Sequence, residues 1–254
     1  MDTATVVSRL RAAGCVFAED EADLLVAAAT SPAELGALVE RRVAGLPLEH
    51  LLGWAEFHGL HVTVRPGVFV PRHRTGYLVD VAVSLAPPDP VVLDLCCGSG
   101  ALAAAFAAAR PPRELHAADV EAAAVECARL NLPDAHVHRG DLYDALPSSL
   151  RGRVDVLLAN VPYVPSDAVA TMPPEARLHE PLVALDGGAD GLDLARRVAA
   201  GAPGWLAPGG TLLIESSERQ APVLAEILAA AGLSPQVHSC DELGATVVTG
   251  TAES

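Results

Sequence analysis

Aromatic residues are scarce in this chain: Phe, Trp and Tyr together make up 4% of its 254 residues. Aliphatic side chains must therefore supply most of the buried area. No stretch approaches the roughly 18–20 consecutive apolar residues that a membrane span needs. The Ala-rich run Ala101–Ala109 favours helix but buries little area per residue. The five cysteines, Cys15, Cys96, Cys97, Cys127 and Cys240, form no C-x-x-C pair, and their odd number argues against a disulfide framework. Cys96-Cys97 reads as the end of a buried strand, and no ligand spacing suggests a metal site. Basic runs are missing too. Arg41-Arg42, Arg72-His73-Arg74 and Arg196-Arg197 are short and scattered in a chain of formal net charge −15. Direct nucleic-acid binding, which draws on a basic stripe to displace counterions, is not expected. The acidic start Met1-Asp2-Thr3-Ala4 lacks the basic and apolar parts of a signal peptide, so a cytoplasmic protein is expected.

What is present reads as an α/β protein with a helical appendage. Val6, Leu10 and Ala13, then Leu24, Leu25, Leu35, Leu38 and Val39, fall at helical spacing. Ser31-Pro32-Ala33-Glu34 is a helix start, with Ser31 as N-cap and Glu34 as its reciprocal partner. Between Phe57 and Val70 the pattern suggests a β-hairpin: His61–Val64, a turn at Arg65-Pro66-Gly67, then Val68–Val70. From Val91 onward, strand and helix patterns alternate. The strand candidates are Val91–Cys97, Glu114–Val120, His136–Arg139, Val154–Asn160, Gly210–Ser216, Gln236–Cys240 and Ala245–Thr249. Such alternation implies a mostly parallel, doubly wound, Rossmann-like sheet. Only Asp241–Gly244 separates the last two strands, so those should pair antiparallel. The expected division is a helical domain over 1–54, a hairpin linker over 55–75 and the sheet domain over 76–254.

Four successive strand ends carry the chemistry. Val91–Gly100 is a strand running into a glycine-rich turn, where a backbone can approach a cofactor closely. In it, Asp94 suits the ammonium of a methionine moiety, and Cys96, Gly98 and Gly100 shape the loop. Asp119, followed by Val120, closes the second strand, where a carboxylate can accept both hydroxyls of a ribose. NAD is the rival ligand, but Ala103 stands where a third glycine would fall in G-x-G-x-x-G. After the third strand, Asp141-Leu142 can meet an exocyclic adenine amine, though Asp after Gly is ordinarily a turn residue. After the fourth comes Asn160-Val161-Pro162-Tyr163. An amide nitrogen is a poor nucleophile because its lone pair is delocalised. Two acceptors on its N–H groups, the Asn160 side-chain carbonyl and the Val161 backbone carbonyl, would orient it, and Tyr163 would pack on the flat group. Taken alone, each motif is also compatible with a plain turn. Their order points to S-adenosylmethionine and methyl transfer to nitrogen.

Together these residues resemble the HemK/PrmC family, which methylates a glutamine side-chain amide in peptide-chain release factors. The resemblance extends to Arg41–Leu48, Leu52-Gly53, Phe57–Leu60, Val70-Pro71-Arg72 and Glu180–Leu192. It implies a seven-stranded class I methyltransferase sheet, an N-terminal helical domain that docks a protein substrate, and S-adenosylmethionine as cofactor. Three departures stand out. The family's N-P-P-Y is Asn-Val-Pro-Tyr here, its P-R-P-E-T-E is Pro71-Arg72-His73-Arg74-Thr75-Gly76, and Cys96-Cys97 replaces a Gly-Thr type pair. Pro162 still biases Val161 toward extended geometry. Arg72 and Glu180 are further candidates for holding substrate or the reactive loop. Trp54 reads as packing, Asp190 as a helix cap, and His58, His61, His73 and His179 have no relay partner in sequence. Three alternatives stay open: a small-molecule or peptide acceptor, an adenine amine in nucleic acid, and a non-catalytic cofactor-binding protein.

Overall fold

Four short helices open the chain: α1 (Thr3–Ala12), α2 (Ala18–Ala28), α3 (Pro32–Val43) and α4 (Leu48–Leu52). The structure is a computed structural model and describes residues 1–253. Val6, Leu10, Leu25, Leu35, Leu38 and Val39 form the helices' own apolar cluster, as their spacing predicts. The Asp2 carboxylate accepts from Thr5 N at 2.9 Å to cap α1. Ser31 Oγ accepts from Glu34 N at 3.2 Å to cap α3. The return half of that box differs from expectation, because Glu34 Oε2 accepts from Thr30 N at 2.7 Å instead of from Ser31. Thr30 also donates its hydroxyl to the same oxygen, so it offers two donors where Ser31 could offer one. The buried Arg42 fork ties α3 to α2, with Nε 2.6 Å from Glu21 Oε2 and Nη2 3.0 Å from Glu21 Oε1.

The hairpin lies earlier than the sequence pattern predicts. Strands β1 (Trp54–Phe57) and β2 (Leu60–Thr63) pair antiparallel across His58-Gly59. Both turn residues have positive φ, 52° and 77°, the geometry of a tight two-residue connection. Arg65-Pro66-Gly67 does turn the chain, with Val68 N donating to Arg65 O at 3.1 Å. Val68–Val70 then finds partners elsewhere. Val68 O accepts from His50 Nε2 at 2.9 Å, and Val70 N donates to Glu180 Oε1 at 3.1 Å. Trp54 stacks on His61 at 4.0 Å, a packing contact.

Helix α5 (Gly76–Leu85) leads into the sheet, whose elements are β3 (Val91–Leu95), α6 (Ala101–Ala109), β4 (Glu114–Asp119), α7 (Ala122–Asn131), β5 (His136–Arg139) and β6 (Val154–Ala159). After these come α8 (Pro174–His179), α9 (Asp193–Gly201), β7 (Leu206–Ser216), α10 (Ala221–Ala230), β8 (Ser234–Cys240) and β9 (Ala245–Thr251). The seven strands lie in the order β5-β4-β3-β6-β7-β9-β8. Pairing is parallel from β5 to β7, and β9 runs antiparallel to both β7 and β8, as the short Asp241–Gly244 connection requires. Strand β7 starts four residues earlier than expected, through a register shift opposite Val154 and Val156. Side chains of β3 alternate between two cores: Leu93 and Leu95 pack with α9 and α10, and Val92 with α5 and α6. Burial on both faces is what a parallel sheet demands. The order reverses at β3, where the chain turns outward to β4 and then back to β6. That is where doubly wound sheets open a crevice at their carboxyl edge. Among the described residues, no helix is long and apolar enough to cross a membrane, and no group of three or more His, Cys, Asp or Glu is placed to hold a metal ion.

Candidate active site

A cleft opens at this switch point, lined by the segments following β3, β4 and β6 and closed over by Phe69, Arg72 and Arg74 from the connector to α5. Cys96, Gly98, Asp119, Val120 and the whole of Asn160–Tyr163 stand on its wall. The glycines of the first loop serve different ends. A Cβ on Gly98 would meet nothing within 4 Å, whereas one on Gly100 would stand 2.8 Å from Leu132 Cδ1. Gly98 thus leaves open space beside the cleft, while Gly100, off the wall, lets the loop pack on α7. Asp119 knits the floor together: Oδ2 accepts from Gly98 N and Oδ1 from Glu121 N, each at 2.9 Å. Burial raises its pKa, and those amides pull the other way.

Asp94, Asp141 and Leu142, like Gly100, depart from the sequence reading and stand off the cleft wall. Asp94 does not reach the cleft. Strand alternation puts it on the Val92 face, fully buried, where Oδ2 accepts from Ala103 N at 3.2 Å in the first turn of α6. Among the described residues its Oδ1 has no partner, and burial pushes its pKa up to about 8. Asp94 is therefore placed to brace the helix that follows the loop, with the helix dipole favouring its negative form. Asp141 also stands off the wall, its Oδ2 accepting from Arg197 Nη2 at 2.7 Å near the surface. Leu142 beside it is buried with φ 46° and does not line the cleft.

The reactive-loop candidate is the best-braced part of the site. Neither the Asn160 side chain nor the Val161 carbonyl has a hydrogen-bond partner among the described residues. From Tyr163 O onward the segment is tied down. Val164 N donates to Leu185 O at 3.2 Å, Gly187 N to Val164 O at 2.8 Å, and Ser166 N to Gly188 O at 2.9 Å. Gln220 Nε2 donates to both Tyr163 O at 3.0 Å and Asp190 O at 2.9 Å. These contacts explain the glycines of Asp186–Leu192. A Cβ on Gly187 would lie 2.6 Å from Pro162 O, and one on Gly191 would lie 2.3 Å from Tyr163 O. Asp190 does not cap α9, whose N-cap position is Leu192 and has no side-chain cap bond; instead its Oδ1 accepts from Leu192 N at 3.0 Å and from Arg196 Nη1 at 2.9 Å.

Two ion-pair assemblies hold the connector against this loop. Arg72 Nη2 reaches both Glu180 oxygens, at 2.8 and 2.7 Å, and the Glu180 side chain is buried. Arg72 lines the cleft, whereas Glu180 stands behind it. Arg74 donates from Nε to Glu215 Oε1 at 3.2 Å and from Nη2 to the Tyr163 hydroxyl at 2.5 Å. Tyr163 itself donates to Glu215 Oε1 at 3.3 Å. Glu215 and Gln220 are absent from the sequence reading. The visible hint for Glu215 is a lone carboxylate ending the apolar run Leu212-Leu213-Ile214.

Comparison with known proteins places this geometry. The family description "Methyltransferase small domain" matches residues 60–179. The chain is 41% identical over 205 residues to the release factor glutamine methyltransferase of Gloeobacter violaceus, covering 77% of this chain and 71% of that relative. The chain belongs to the HemK/PrmC family. It is also 39% identical over 191 residues to the ribosomal protein uL3 glutamine methyltransferase of Bordetella pertussis, covering 70% and 62% of the two chains. A methyltransferase structure from Pyrococcus furiosus shares the fold, with a TM-score of 0.58 at 17% identity over 77% of this chain and 90% of that one. As a HemK/PrmC member the chain is a methyltransferase, and its cofactor is S-adenosylmethionine. The residues present fit that cofactor: Gly98 leaves space at the wall, and Asp119 keeps unused lone pairs beside it. Cys96 adopts φ 57° where the family has glycine, a left-handed conformation that costs a side-chain-bearing residue roughly 1–2 kcal/mol. Burial raises the pKa of both Cys96 and Cys97, so the thiols stay protonated and are poor nucleophiles.

Proposed function

We propose that this chain transfers a methyl group to a glutamine side-chain amide nitrogen of a protein, with a peptide-chain release factor as the acceptor. S-adenosylmethionine supplies a methyl group made electrophilic by its sulfonium. Asp119, Val120, Cys96 and Gly98 are the residues that would hold it. The remaining chemistry is positional. The Asn160 side-chain oxygen and the Val161 carbonyl accept from the two N–H groups of the acceptor amide, fixing the nitrogen's direction. Neither group titrates, so orientation and not proton removal is their contribution, and such positioning is worth up to about 7–11 kcal/mol. Tyr163 packs against the planar amide and is itself steadied by Arg74 and Glu215. Helices over residues 1–54 dock the acceptor protein, the hairpin and connector link them, and residues 76–254 carry the catalysis. Arg72 and Glu180 act by holding the connector over the cleft.

The observation behind this reading is the pair of acceptors, Asn160 and Val161, without hydrogen-bond partners among the described residues, side by side on a cleft whose loop is tied down from Tyr163 O onward. Labelled S-adenosylmethionine and a candidate release factor test it directly. Asn160→Ala should cut kcat roughly 100- to 1000-fold, the effect of removing one oriented polar partner, while cofactor affinity changes little. Robust methylation of other acceptors with no labelled glutamine in the release factor would reject the acceptor assignment.

A further inference from the structure

Helix α7 ends on Asn131, a half-buried residue off the cleft wall whose carboxamide bonds to two separate segments. Its Oδ1 accepts from Thr63 N at 2.9 Å. Its Nδ2 donates to Thr63 O at 2.9 Å and to Ser99 O at 2.8 Å. The reverse orientation would set Oδ1 against two carbonyl oxygens, so the hydrogen-bond pattern fixes which way the amide faces. Thr63 is the last residue of β2, and its amide and carbonyl lie on the edge turned away from β1, because the next residue, Val64, is the one that donates to Gly53 O at 3.0 Å. Asn131 therefore meets that edge as the peptide group of a further strand would. Cys127, one turn earlier on α7, adds a thiol donor to Thr63 O at 3.1 Å. Ser99 belongs to the glycine-rich loop after β3. It lines the cleft, and its carbonyl has no other donor among the described residues. Four residues beyond Thr63 the connector itself reaches the cleft, with Gly67, Val68 and Phe69 on its wall. One carboxamide thus ties the root of the connector to the cofactor loop. Among the described residues no other side chain hydrogen-bonds to both.

We propose that Asn131 is a positioning residue for the cofactor. Through Ser99 O and Thr63 it holds the loop and the connector at the separation that S-adenosylmethionine needs, so cofactor binding and ordering of the connector stabilise each other. The proposal needs the cofactor and does not depend on which acceptor is methylated. A carboxamide is the right group because it supplies one acceptor and two donors in a single plane. An aspartate of the same shape would set a carboxylate against two carbonyl oxygens, and alanine would leave all three backbone groups without this partner. The end of α7 is a firm reference for both segments. Gly100 packs on it so closely that a Cβ there would stand 2.8 Å from Leu132 Cδ1. Linkage is reciprocal: by whatever factor the bound cofactor strengthens the Thr63 bond, that bond strengthens cofactor binding.

Amide hydrogen exchange on the unaltered full chain is the first test and needs no variant. Saturation with S-adenosylhomocysteine should slow exchange at the Thr63 amide roughly tenfold, although Thr63 itself stands off the cleft wall. Equal exchange with and without the ligand overturns the proposal. Calorimetry with the same ligand is the second test. Asn131→Ala should raise its Kd roughly tenfold, about the worth of one neutral hydrogen bond. Asn131→Asp should raise it at least as much. A residue that merely filled space would give the opposite order, with the isosteric Asp harmless and Ala harmful. That order, or a Kd within about twofold of the parent in both folded variants, overturns the proposal. In turnover the Asn131→Ala enzyme should show a cofactor KM about tenfold higher with kcat within about threefold, the reverse of the pattern expected for Asn160→Ala, and a fall in kcat alone overturns it. If neither variant folds, exchange at Thr63 in the parent chain decides by itself. Absence of methyl transfer to a release factor counts against the glutamine reaction and leaves the exchange and binding tests intact.

Discussion

Replacing Gly187 with alanine should disable transfer while leaving cofactor binding and the fold largely intact. Gly187 does not sit at a positive φ, so the added methyl brings steric pressure without backbone strain of its own. An ideal Cβ there lies 2.6 Å from Pro162 O and 2.6 Å from Gly191 O. Both neighbours are backbone, so no side chain can swing aside. To regain ordinary contact the Pro162 carbonyl must retreat by about 0.8 Å, and the adjoining Val161 carbonyl and Asn160 move with it. A displacement near 1 Å in a positioning group is enough for a rate loss of roughly 100-fold. Steady-state transfer from labelled S-adenosylmethionine gives kcat, and calorimetry with S-adenosylhomocysteine gives cofactor affinity. The expected result is kcat down by about two orders of magnitude with cofactor Kd within threefold. A folded Gly187→Ala protein with kcat within threefold of the parent would refute the view that this segment sets the acceptor's position.

Gly36→Ala in α3 is the matching control: a Cβ there meets nothing within 4 Å, so the change should stabilise the chain by about 0.5–1 kcal/mol in urea unfolding and leave turnover alone. Asp94, whose pKa burial lifts from 3.8 to about 8, should make the cofactor-free protein lose stability as pH rises. Between those values the folded chain holds a proton that the unfolded chain has released, so stability falls by up to about 1.4 kcal/mol per pH unit, and is unaffected below the lower value. Urea midpoints at pH 5 and 7.5 should show Asp94→Asn with a flatter profile, and identical slopes would contradict the assignment. Glu180→Gln removes a buried carboxylate that accepts from Val70 N and from Arg72. It should lower stability by about 2 kcal/mol and raise the acceptor KM, read from urea melts and initial rates.

Much of the sheet is legible in the sequence because its central strands β3, β6 and β7 contain apolar runs, and the ends of β3 to β6 fall within two residues of where the pattern breaks. The antiparallel edge follows from loop length alone. The hairpin is misplaced because Val68–Val70 looks like a strand, yet its carbonyl and amide go to His50 and Glu180, partners distant in sequence. Of the proposed site, Asn160–Tyr163, Asp119, Gly98, Cys96 and Arg72 converge on one cleft. Asp94, Gly100, Asp141, Leu142 and Glu180 stand off its wall, because local order along the chain does not reveal which way a side chain faces. Glu215 and Gln220 escape notice for the related reason that their roles depend on Tyr163, more than fifty residues away.

The Leu182–Leu192 strap over the reactive loop has little regular structure of its own: one short 3-10 turn and a single bridge from Asp186 to Val164. Its shape comes from the amides and carbonyls it shares with the loop, so each segment is the other's scaffold. A single proteolytic cut within the strap would slacken the seat of the acceptor amide while the seven strands stayed paired. Catalytic competence and global stability are then separable properties, and a chain can be fully folded by every spectroscopic measure yet inert.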